Sequence, residues 1–288
     1  MTPPSPTRDM FAAAFASPRV RIGGVIVAIV AILAMFAPWI APNDPQNQDL
    51  LATLLPPAWA VEGNRQYPLG TDSLGRNLYG GLAHGARATL FIAVIGTVVA
   101  AAFGTLVGAV AGFYGGLVDD LLMRLTEFFQ TIPSFLFAIV LVAILSPSAS
   151  SVVIAIATVS WPPIARVVRG EVLSVKSREF VLAAIVAGQR DHAILLRQVL
   201  PNTLSPLIVT GSLLVATAIL VESALSFLGL GAPNLMSWGF MIGSGRQFLR
   251  DAWWLVTVPG IAILLTVLSI NLVGEGLNDA LNPRLADL

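Results

Sequence analysis

Residues 88–113 read ATLFIAVIGTVVAAAFGTLVGAVAGF and contain no charged side chain. About 20 apolar residues are enough for a helix to cross the roughly 30 Å hydrocarbon core of a bilayer. The stretch therefore predicts a membrane-spanning helix. Within it, Gly104, Gly108 and Gly112 recur every four residues and share one helix face. Small residues in this spacing favour close packing against another helix over a role in lining a pore.

The rest of the chain has the same character. Hydrophobic residues make up 56%, charged residues 11%, and the mean hydropathy is +0.82, which lies outside the usual balance of a soluble domain. Five further apolar runs are long enough to span, near residues 20–41, 121–146, 151–169, 203–228 and 254–277. The first exceeds the core of a typical cleavable signal, so we interpret it as a retained anchor. The sequence predicts an all-α polytopic membrane protein with six transmembrane helices.

Several function classes are excluded by composition. The chain has no cysteine and only two histidines, which argues against a metal site and against thiol catalysis. Lys176 is its only lysine and follows Val175, so no phosphate-binding loop ending in Gly-Lys exists here. The formal net charge of zero gives no reason to expect nucleic acid. Any ATP that drives this protein must be bound by another chain.

No catalytic motif is present either. Serine-hydrolase and zinc-peptidase signatures are missing, and Asp119-Asp120 is interpreted as a solvated turn at a span boundary rather than a catalytic pair. We therefore expect a non-enzymatic protein.

Basic residues predict the orientation, because cytoplasmic segments of membrane proteins are enriched in Lys and Arg. With the N-terminus inside, eleven of the 16 basic residues fall in cytoplasmic segments: Arg8, Arg19, Arg21, Arg124, Arg166, Arg169, Lys176, Arg178, Arg190, Arg197 and Arg284. The others are outside: Arg65, Arg76, Arg87, Arg246 and Arg250. Both termini and the segment 170–201 are thus expected in the cytoplasm.

That cytoplasmic segment includes REFVLAAIVAGQRDHAILLRQVLPN, residues 178–202. Residues 178–187 suit a helix, Gly188 can adopt the left-handed conformation that ends one, and Asp191 suits the first turn of the next. Pro201 is expected to begin the fifth span. An ordinary linker hairpin is one interpretation, but the segment is rich in apolar side chains that need a partner to cover them.

Here the sequence resembles a known family. Ala183-Ala184, Gly188 and Leu200-Pro201 resemble the EAA loop motif of binding-protein-dependent ABC importer permeases. The resemblance implies a coupling helix that docks on an ATPase subunit. Leu182 stands where the motif has glutamate and Gln198 where it has isoleucine, and Glu179 is the candidate substitute carboxylate. The implied coupling residues are Glu179, Leu182, Ala183, Ala184, Gly188, Asp191, His192, Leu200 and Pro201.

Further motifs resemble the oligopeptide, dipeptide and nickel branch of that family. They are GTDSLGR at 70–76 with GAR at 85–87, LSFLGLG at 225–231 with SWG at 237–239, and NLVG at 271–274 with DA at 279–280 and PRL at 283–285. The resemblance implies a peptide importer permease; nickel chelates and glutathione remain alternative substrates. It also implies a second homologous permease, two ATP-binding subunits or a fused ATPase, and an extracytoplasmic binding protein. ATP and Mg²⁺ would be bound by the ATPase partners, and no cofactor by this chain.

The predicted organisation is a cytoplasmic segment 1–19, a first span 20–41, an extracytoplasmic segment 42–87, a permease core 88–285 with the coupling loop 170–201, and a tail 286–288. The outer segment is either a loop resting on its own membrane domain or, with the 229–253 loop, a docking surface for the binding protein. Its candidate docking residues are Asp72, Arg76 and Arg87. A short interfacial helix is expected at 77–83, and Trp238, Trp253 and Trp254 are typical of interfacial anchors.

Polar and helix-breaking residues inside the spans leave alternatives open. Glu222 either lines a translocation path or is hydrogen-bonded to a neighbouring helix, because an unpaired carboxylate in the bilayer is costly. Pro133 and Pro162-Pro163 are expected to kink their helices. An ion-coupled secondary transporter and a membrane scaffold are the other function classes, although the sequence shows no internal repeat of the kind many secondary transporters carry.

Overall fold

A computed structural model describes residues 17–281, and in this range the chain is helical, with a single isolated β-bridge between Thr71 and Asn77. The all-α prediction is confirmed. Predictions for residues 1–16 and 282–288, including Arg8 and the motif at 283–285, lie outside the described residues. The helices are α1 Pro18–Met35, α2 Ala37–Ile40, α3 Leu78–Tyr114, α4 Gly116–Thr131, α5 Ser134–Leu145, α6 Ala149–Lys176, α7 Glu179–Val186, α8 Asp191–Ile194, α9 Leu204–Phe227, α10 Trp238–Gly245 and α11 Trp254–Leu281.

Within the described residues, five helices are individually long and apolar enough to cross a membrane: α1, α3, α6, α9 and α11. The third predicted span is instead a pair, α4 and α5, bent by 86°. Ile132 is extended, with φ −85° and ψ 128°, because the ring of Pro133 disfavours helical geometry in the residue before it. The expected break at Pro133 is thus much sharper than a kink. Six spans are recovered when the bent pair is counted as one.

Helix α3 begins earlier than the apolar run indicated. Its 37 residues extend over about 55 Å at 1.5 Å per residue, well beyond the hydrocarbon core. The side chain of Asn77 caps it by accepting the N–H of Tyr79 at 3.0 Å. The separate interfacial helix expected at 77–83 is therefore wrong, because these residues form the first turns of α3. Helix α6 continues through Pro162 and Pro163 without interruption.

Helices α3 and α6 run parallel and in close contact along the glycine face. A Cβ atom on Gly104 would lie 2.6 Å from the carbonyl oxygen of Trp161, and one on Gly112 would lie 2.9 Å from that of Arg169. Gly108 is as tightly placed against the carbonyl group of Ala165. Gly96, nearer the N-terminus of α3, lies on the same face and packs against Ile156. Only glycine permits this backbone separation, so the small residues are used within the chain.

An ion pair fixes the start of α4 to the last turns of α6. The Arg169 guanidinium donates to both carboxylate oxygens of Asp119, at 2.5 and 2.6 Å. The expectation of a solvated turn at Asp119 is wrong, because this residue lies in the first turn of α4 and is paired. Lys176 Nζ also donates to the carbonyl oxygen of Phe113, tying the ends of α6 and α3 together.

The connections separate onto the two ends of the bundle. Helix α1 packs antiparallel to α11, with Val20 against Gly276 and an Arg19–Asp279 ion pair at 3.4 Å. Both described chain ends thus lie at the end that carries α7 and α8, which we call the hairpin end. Residues 42–77 and 228–253 lie at the opposite end, which we call the loop end.

Two of the tryptophans at the loop end are structural. Trp238 is buried and donates its indole N–H to the carbonyl oxygen of Leu82 at 2.9 Å, and Trp254 donates to that of Thr71 at 3.2 Å. The interpretation of these two as interfacial anchors is wrong, because both rings are buried within the chain. Trp238 joins the 228–253 loop to α3, and Trp254 joins the start of α11 to the outer segment. Trp253 remains half exposed.

We expect Gly108→Ala to destabilise the protein by about 1–3 kcal/mol, since the added methyl group overpacks against the α6 backbone. Gly170→Ala is the matched control, because a Cβ there meets nothing within 4 Å and alanine is the better helix former. Thermal unfolding in detergent measures both. Equal midpoints for the two variants would contradict close α3–α6 packing.

Candidate functional site

The hairpin of residues 178–202 consists of α7, a glycine turn and a returning arm. The arm is formed by α8, the π-helix Leu195–Val199 and most of the 3-10 helix Leu200–Thr203. Gly188 has φ +71°, the left-handed conformation predicted for it. Its N–H donates to the carbonyl oxygen of Ile185 at 3.0 Å, and that of Gln189 to the carbonyl oxygen of Ala184 at 3.1 Å. This pair of bonds is a Schellman motif, which satisfies the last carbonyl groups of a helix and reverses the chain. Asp191 lies in the first turn of α8, where its charge suits the helix dipole.

One side of α7 is buried against the rest of the protein and the other side is exposed. Val181 and Ala184 are buried in a cluster with apolar side chains of α6 and the returning arm, including Val172, Ile194 and Val199. On the remaining surface, Val186 is 89% and Leu182 51% exposed, and Phe180 and Ile185 are also exposed. The hairpin is thus fixed to the last turns of α6 and presents an apolar surface outward.

A side-chain hydrogen bond joins the glycine turn of the hairpin to its returning arm. The Gln198 amide donates to Gln189 Oε1 at 2.7 Å, and Asn202 donates to the Gln198 carbonyl oxygen at 2.6 Å. The motif position at which glutamine replaces isoleucine therefore has a role inside the hairpin. The other implied coupling residues are distributed along it: Glu179, Ala183, Asp191, His192 and Pro201 are exposed, and Leu200 is half-buried.

Glu222 lies in α9 within a buried polar cluster near the loop end, and its exposure is 0%. Its carboxyl group accepts from the hydroxyl of Ser226 at 2.7 Å and, more weakly, from Ser223 at 3.4 Å. Thr89 of α3 and Ser237, the N-cap of α10, also face this carboxyl group. Thr89 in turn accepts the backbone N–H of Trp238 at 3.2 Å. The arrangement joins three helices and favours the packing interpretation over a path-lining one.

The three candidate docking residues differ in their surroundings. Arg76 Nε donates to Asp72 Oδ2 at 2.6 Å, with side chains only 11% and 13% exposed, and the guanidinium lies over the ring of Phe240. Asp72 also accepts the N–H groups of Leu74 and Arg76, so this pair stabilises a turn. Arg87 is exposed. The sequence analysis did not predict that Asp72 and Arg76 pair with each other.

Tyr67 of the outer segment is hydrogen-bonded to an acidic side chain. Tyr67 donates its hydroxyl proton to Asp49 Oδ2 at 2.9 Å, and this hydrogen bond to a carboxylate raises the pKa of Tyr67 above its usual value. Within residues 17–281, no group of three or more His, Asp and Glu side chains is arranged to hold a metal ion.

Comparison with known protein families shows which family the chain belongs to. Residues 104–287 match the family described as binding-protein-dependent transport system inner membrane component. The chain belongs to this family. Residues 5–57 also match the N-terminal transmembrane domain of oligopeptide transport permease C. The chain is thus a multi-pass inner-membrane transport component, as its apolar helices and the EAA-like hairpin indicated.

Curated relatives cover nearly the whole chain. The chain is 43% identical over 284 residues to the di/tripeptide transport system permease protein DppC of Pseudomonas aeruginosa, covering 98% of this chain and 93% of the relative. It is 42% identical to the dipeptide transport system permease proteins DppC of Haemophilus influenzae and of Escherichia coli K12, each over 92% of this chain, and covers 90% and 88% of these relatives.

A solved structure shares the fold. An inward-facing structure of the MetNI methionine ABC transporter contains a chain that superposes with a TM-score of 0.51 at 16% sequence identity. The match covers 67% of this chain and 94% of the other. At this identity the comparison establishes the permease fold alone.

Four contacts were not predicted from the sequence: those of Glu222 with Ser226, Thr89 and Ser237, and that of Gln189 with Gln198. Ser226 follows Glu222 by four residues, a spacing that brings two side chains together on one helix face, and this signal was available. Thr89 and Ser237 carry no such signal, because they reach the carboxyl group from elements distant in sequence. The Gln189–Gln198 bond was hidden for the same reason, since it forms only across the folded turn.

We expect Glu222→Gln to retain fold and transport, because an amide still accepts a hydrogen bond from Ser226. Glu222→Leu leaves buried hydroxyl groups without their acceptor, which costs about 1–3 kcal/mol per unsatisfied group. Unfolding midpoints in detergent and uptake by the assembled transporter measure the two variants. Loss of transport in a stably folded Glu222→Gln variant would instead indicate that the charge itself is required.

Proposed function

We propose that this chain is one permease subunit of an ATP-driven importer of di- and oligopeptides, forming half of the translocation path. The observation that carries the proposal is the 43% identity, over 98% of the chain, to a permease named for di- and tripeptide transport. Relatives from two further organisms are named for dipeptide transport at 42% identity. Agreement over nearly full length supports the same substrate class.

The proposal assigns energy conversion to other chains. Its partners are a second homologous permease, two ATP-binding subunits or a fused ATPase, and an extracytoplasmic peptide-binding protein. ATP and Mg²⁺ are bound by the ATPase partners, because Lys176 is the only lysine here and is not part of a phosphate-binding loop. This chain is then non-catalytic and binds no cofactor of its own.

Helix α7 is the proposed coupling helix. Its exposed apolar side, formed by Phe180, Leu182, Ile185 and Val186, is suited to a groove on the ATPase subunit because it is otherwise left in water. Its buried side rests on the end of α6, so a displacement of α7 is transmitted to a membrane helix. Leu182 contributes apolar area at the position where the motif has a carboxylate, and Glu179 supplies the nearby charge.

The proposed orientation places the hairpin end in the cytoplasm. Basic residues near this end include Arg166, Arg169, Lys176, Arg190 and Arg197, and an excess of Lys and Arg marks cytoplasmic segments. The two described chain ends lie on the same side, as the Arg19–Asp279 pair shows. The loop end is then extracytoplasmic, where a peptide-binding protein would dock.

We expect Val186→Asp to weaken ATPase binding strongly while leaving the permease folded, since Val186 is 89% exposed and contributes nothing to the core. A charge placed in an apolar docking groove is left without a partner, which reduces binding by roughly ten-fold or more. Val186→Ile is the matched control that keeps the apolar contact. Co-purification of the ATPase subunits from native membranes measures the effect.

The companion permease should be recovered equally with wild type, Val186→Asp and Val186→Ile, because the exposed Val186 side chain takes no part in packing the membrane helices. If the ATPase subunits co-purify with Val186→Asp as well as with wild type, α7 is not the coupling helix.

Reconstitution tests the function as a whole. The purified complex in proteoliposomes should take up radiolabelled Ala-Ala only when the binding protein is outside and ATP reaches the ATPase subunits. A Gly188→Pro variant, which cannot adopt the positive φ of the turn, should lose ATP-dependent uptake. Peptide uptake driven by an ion gradient without ATPase subunits would contradict the proposal and favour a secondary transporter.

A further inference from the structure

A cavity of ≈ 490 Å³ opens at the loop end, where three segments meet. Residues 44–46 of the outer segment form one wall, α3 side chains that include His84 and Arg87 form the second, and residues 234–236 form the third. Arg87 directly precedes the apolar run that begins at Ala88. The cavity therefore lies beside α3 at the start of the apolar run that is expected to cross the bilayer.

Arg87 differs from the other arginine that was expected to dock the binding protein. Arg76 is neutralised by Asp72 and covered by Phe240. Within residues 17–281, the exposed side chain of Arg87 makes no ion pair or hydrogen bond. The cavity thus contains a guanidinium group whose five donors are available to a ligand.

The walls of the cavity are held by local hydrogen bonds. His84 Nε2 donates to the carbonyl oxygen of Ala41 at 2.9 Å, which fixes the outer segment to α3. Asp44 accepts the backbone N–H of Gln46 through Oδ1 at 2.9 Å, and within residues 17–281 its Oδ2 makes no hydrogen bond. Phe91 and Met236 supply apolar lining. The site combines a cation, an anion and an apolar surface.

We propose that this cavity is an entry site for the peptide on the permease itself, in which Arg87 receives the terminal carboxylate and Asp44 favours the terminal ammonium group. Guanidinium groups bind carboxylates through two parallel hydrogen bonds, and apolar surroundings strengthen such pairs relative to open water. The volume lies within the roughly 300–1,000 Å³ of small-molecule sites. This inference rests on the proposed peptide transport.

A small ligand fits these observations better than contact with the binding protein. Arg87 lies inside a concavity at the membrane boundary, whereas protein docking surfaces place their charges on an exposed rim. The ordered Asp72–Arg76 turn is largely buried and so offers little charge for docking. A peptide released at the loop end would meet the free guanidinium before the hydrocarbon layer.

The absence of native cysteine permits a direct test by thiol labelling. A single-cysteine variant, Asn234→Cys, places a thiol on the cavity wall in the assembled complex, and its labelling rate is followed on this chain without the binding protein. Ala-Ala should slow labelling in a concentration-dependent way, while the C-terminal amide of Ala-Ala should not. Arg65→Cys, exposed on the outer segment away from the cavity, is the control position and should show no protection.

Arg87→Gln is then introduced into the Asn234→Cys variant. It should raise the Ala-Ala concentration that halves the labelling rate roughly ten-fold or more, because a charge-assisted hydrogen bond is lost. Arg87→Lys, which keeps the charge without the bidentate geometry, should have a smaller effect. Equal protection by acid and amide, or protection unchanged by Arg87→Gln, overturns the proposal. The proposal is also overturned if the substrate-free binding protein protects the thiol and the peptide does not. That result would make the cavity a protein docking surface.

The proposed function is tested separately by ATP-driven uptake of Ala-Ala with the wild-type complex. Absence of that uptake refutes peptide import, whereas the labelling result decides only whether this cavity binds a terminal carboxylate.

Discussion

The close contact between α3 and α6 is the constraint on which the other elements depend. Gly104, Gly108 and Gly112 bring the two backbones together over several turns, with no room for a Cβ atom. In a bilayer, helices gain little from burying apolar area against one another because lipid tails are equally apolar, so packing distance determines which pairs are stable. Because α3 and α6 are parallel, α4 and α5 must lead the chain back from the end of α3 to the level at which α6 begins. Pro133 divides this connection into two helices.

This parallel pair also places the hairpin. Gly112, near the end of α3, lies against Arg169 and Val172, and α6 ends shortly afterwards at Lys176. This last part of α6 carries Val172 and Val175, on which α7 rests. The Asp119–Arg169 ion pair and the Lys176 contact with Phe113 lie next to this junction. A segment outside the bilayer is thus connected, through buried side chains and two polar ties, to the most tightly packed helices of the bundle. This connection supports the proposed role of α7 in coupling to an ATPase subunit.

The loop end combines close glycine contacts, such as Gly239 against the backbone of Ser223, with side-chain hydrogen bonds between distant segments. Glu222 and its hydroxyl neighbours join α9, α3 and α10, while Trp238 and Trp254 tie the outer loops to the helices. A buried polar network fully satisfied within the chain fixes helix positions because an unpaired group there is costly. The charges left free at this end, above all Arg87, are then those available for ligands.

The sequence by itself determined the membrane class, the apolar stretches that form the spans, the left-handed turn at Gly188 and the family. These depend on local properties: the length of apolar runs, the conformational freedom of glycine and residues at fixed spacing. The 86° bend at Pro133, the start of α3 at Leu78 and the pairing of Asp72 with Arg76 were decided by the tertiary structure. So were the burial of Trp238 and the partners of Glu222, because each depends on which distant segments approach in space. A single sequence states what each helix can contact, and only packing selects the contact that is made.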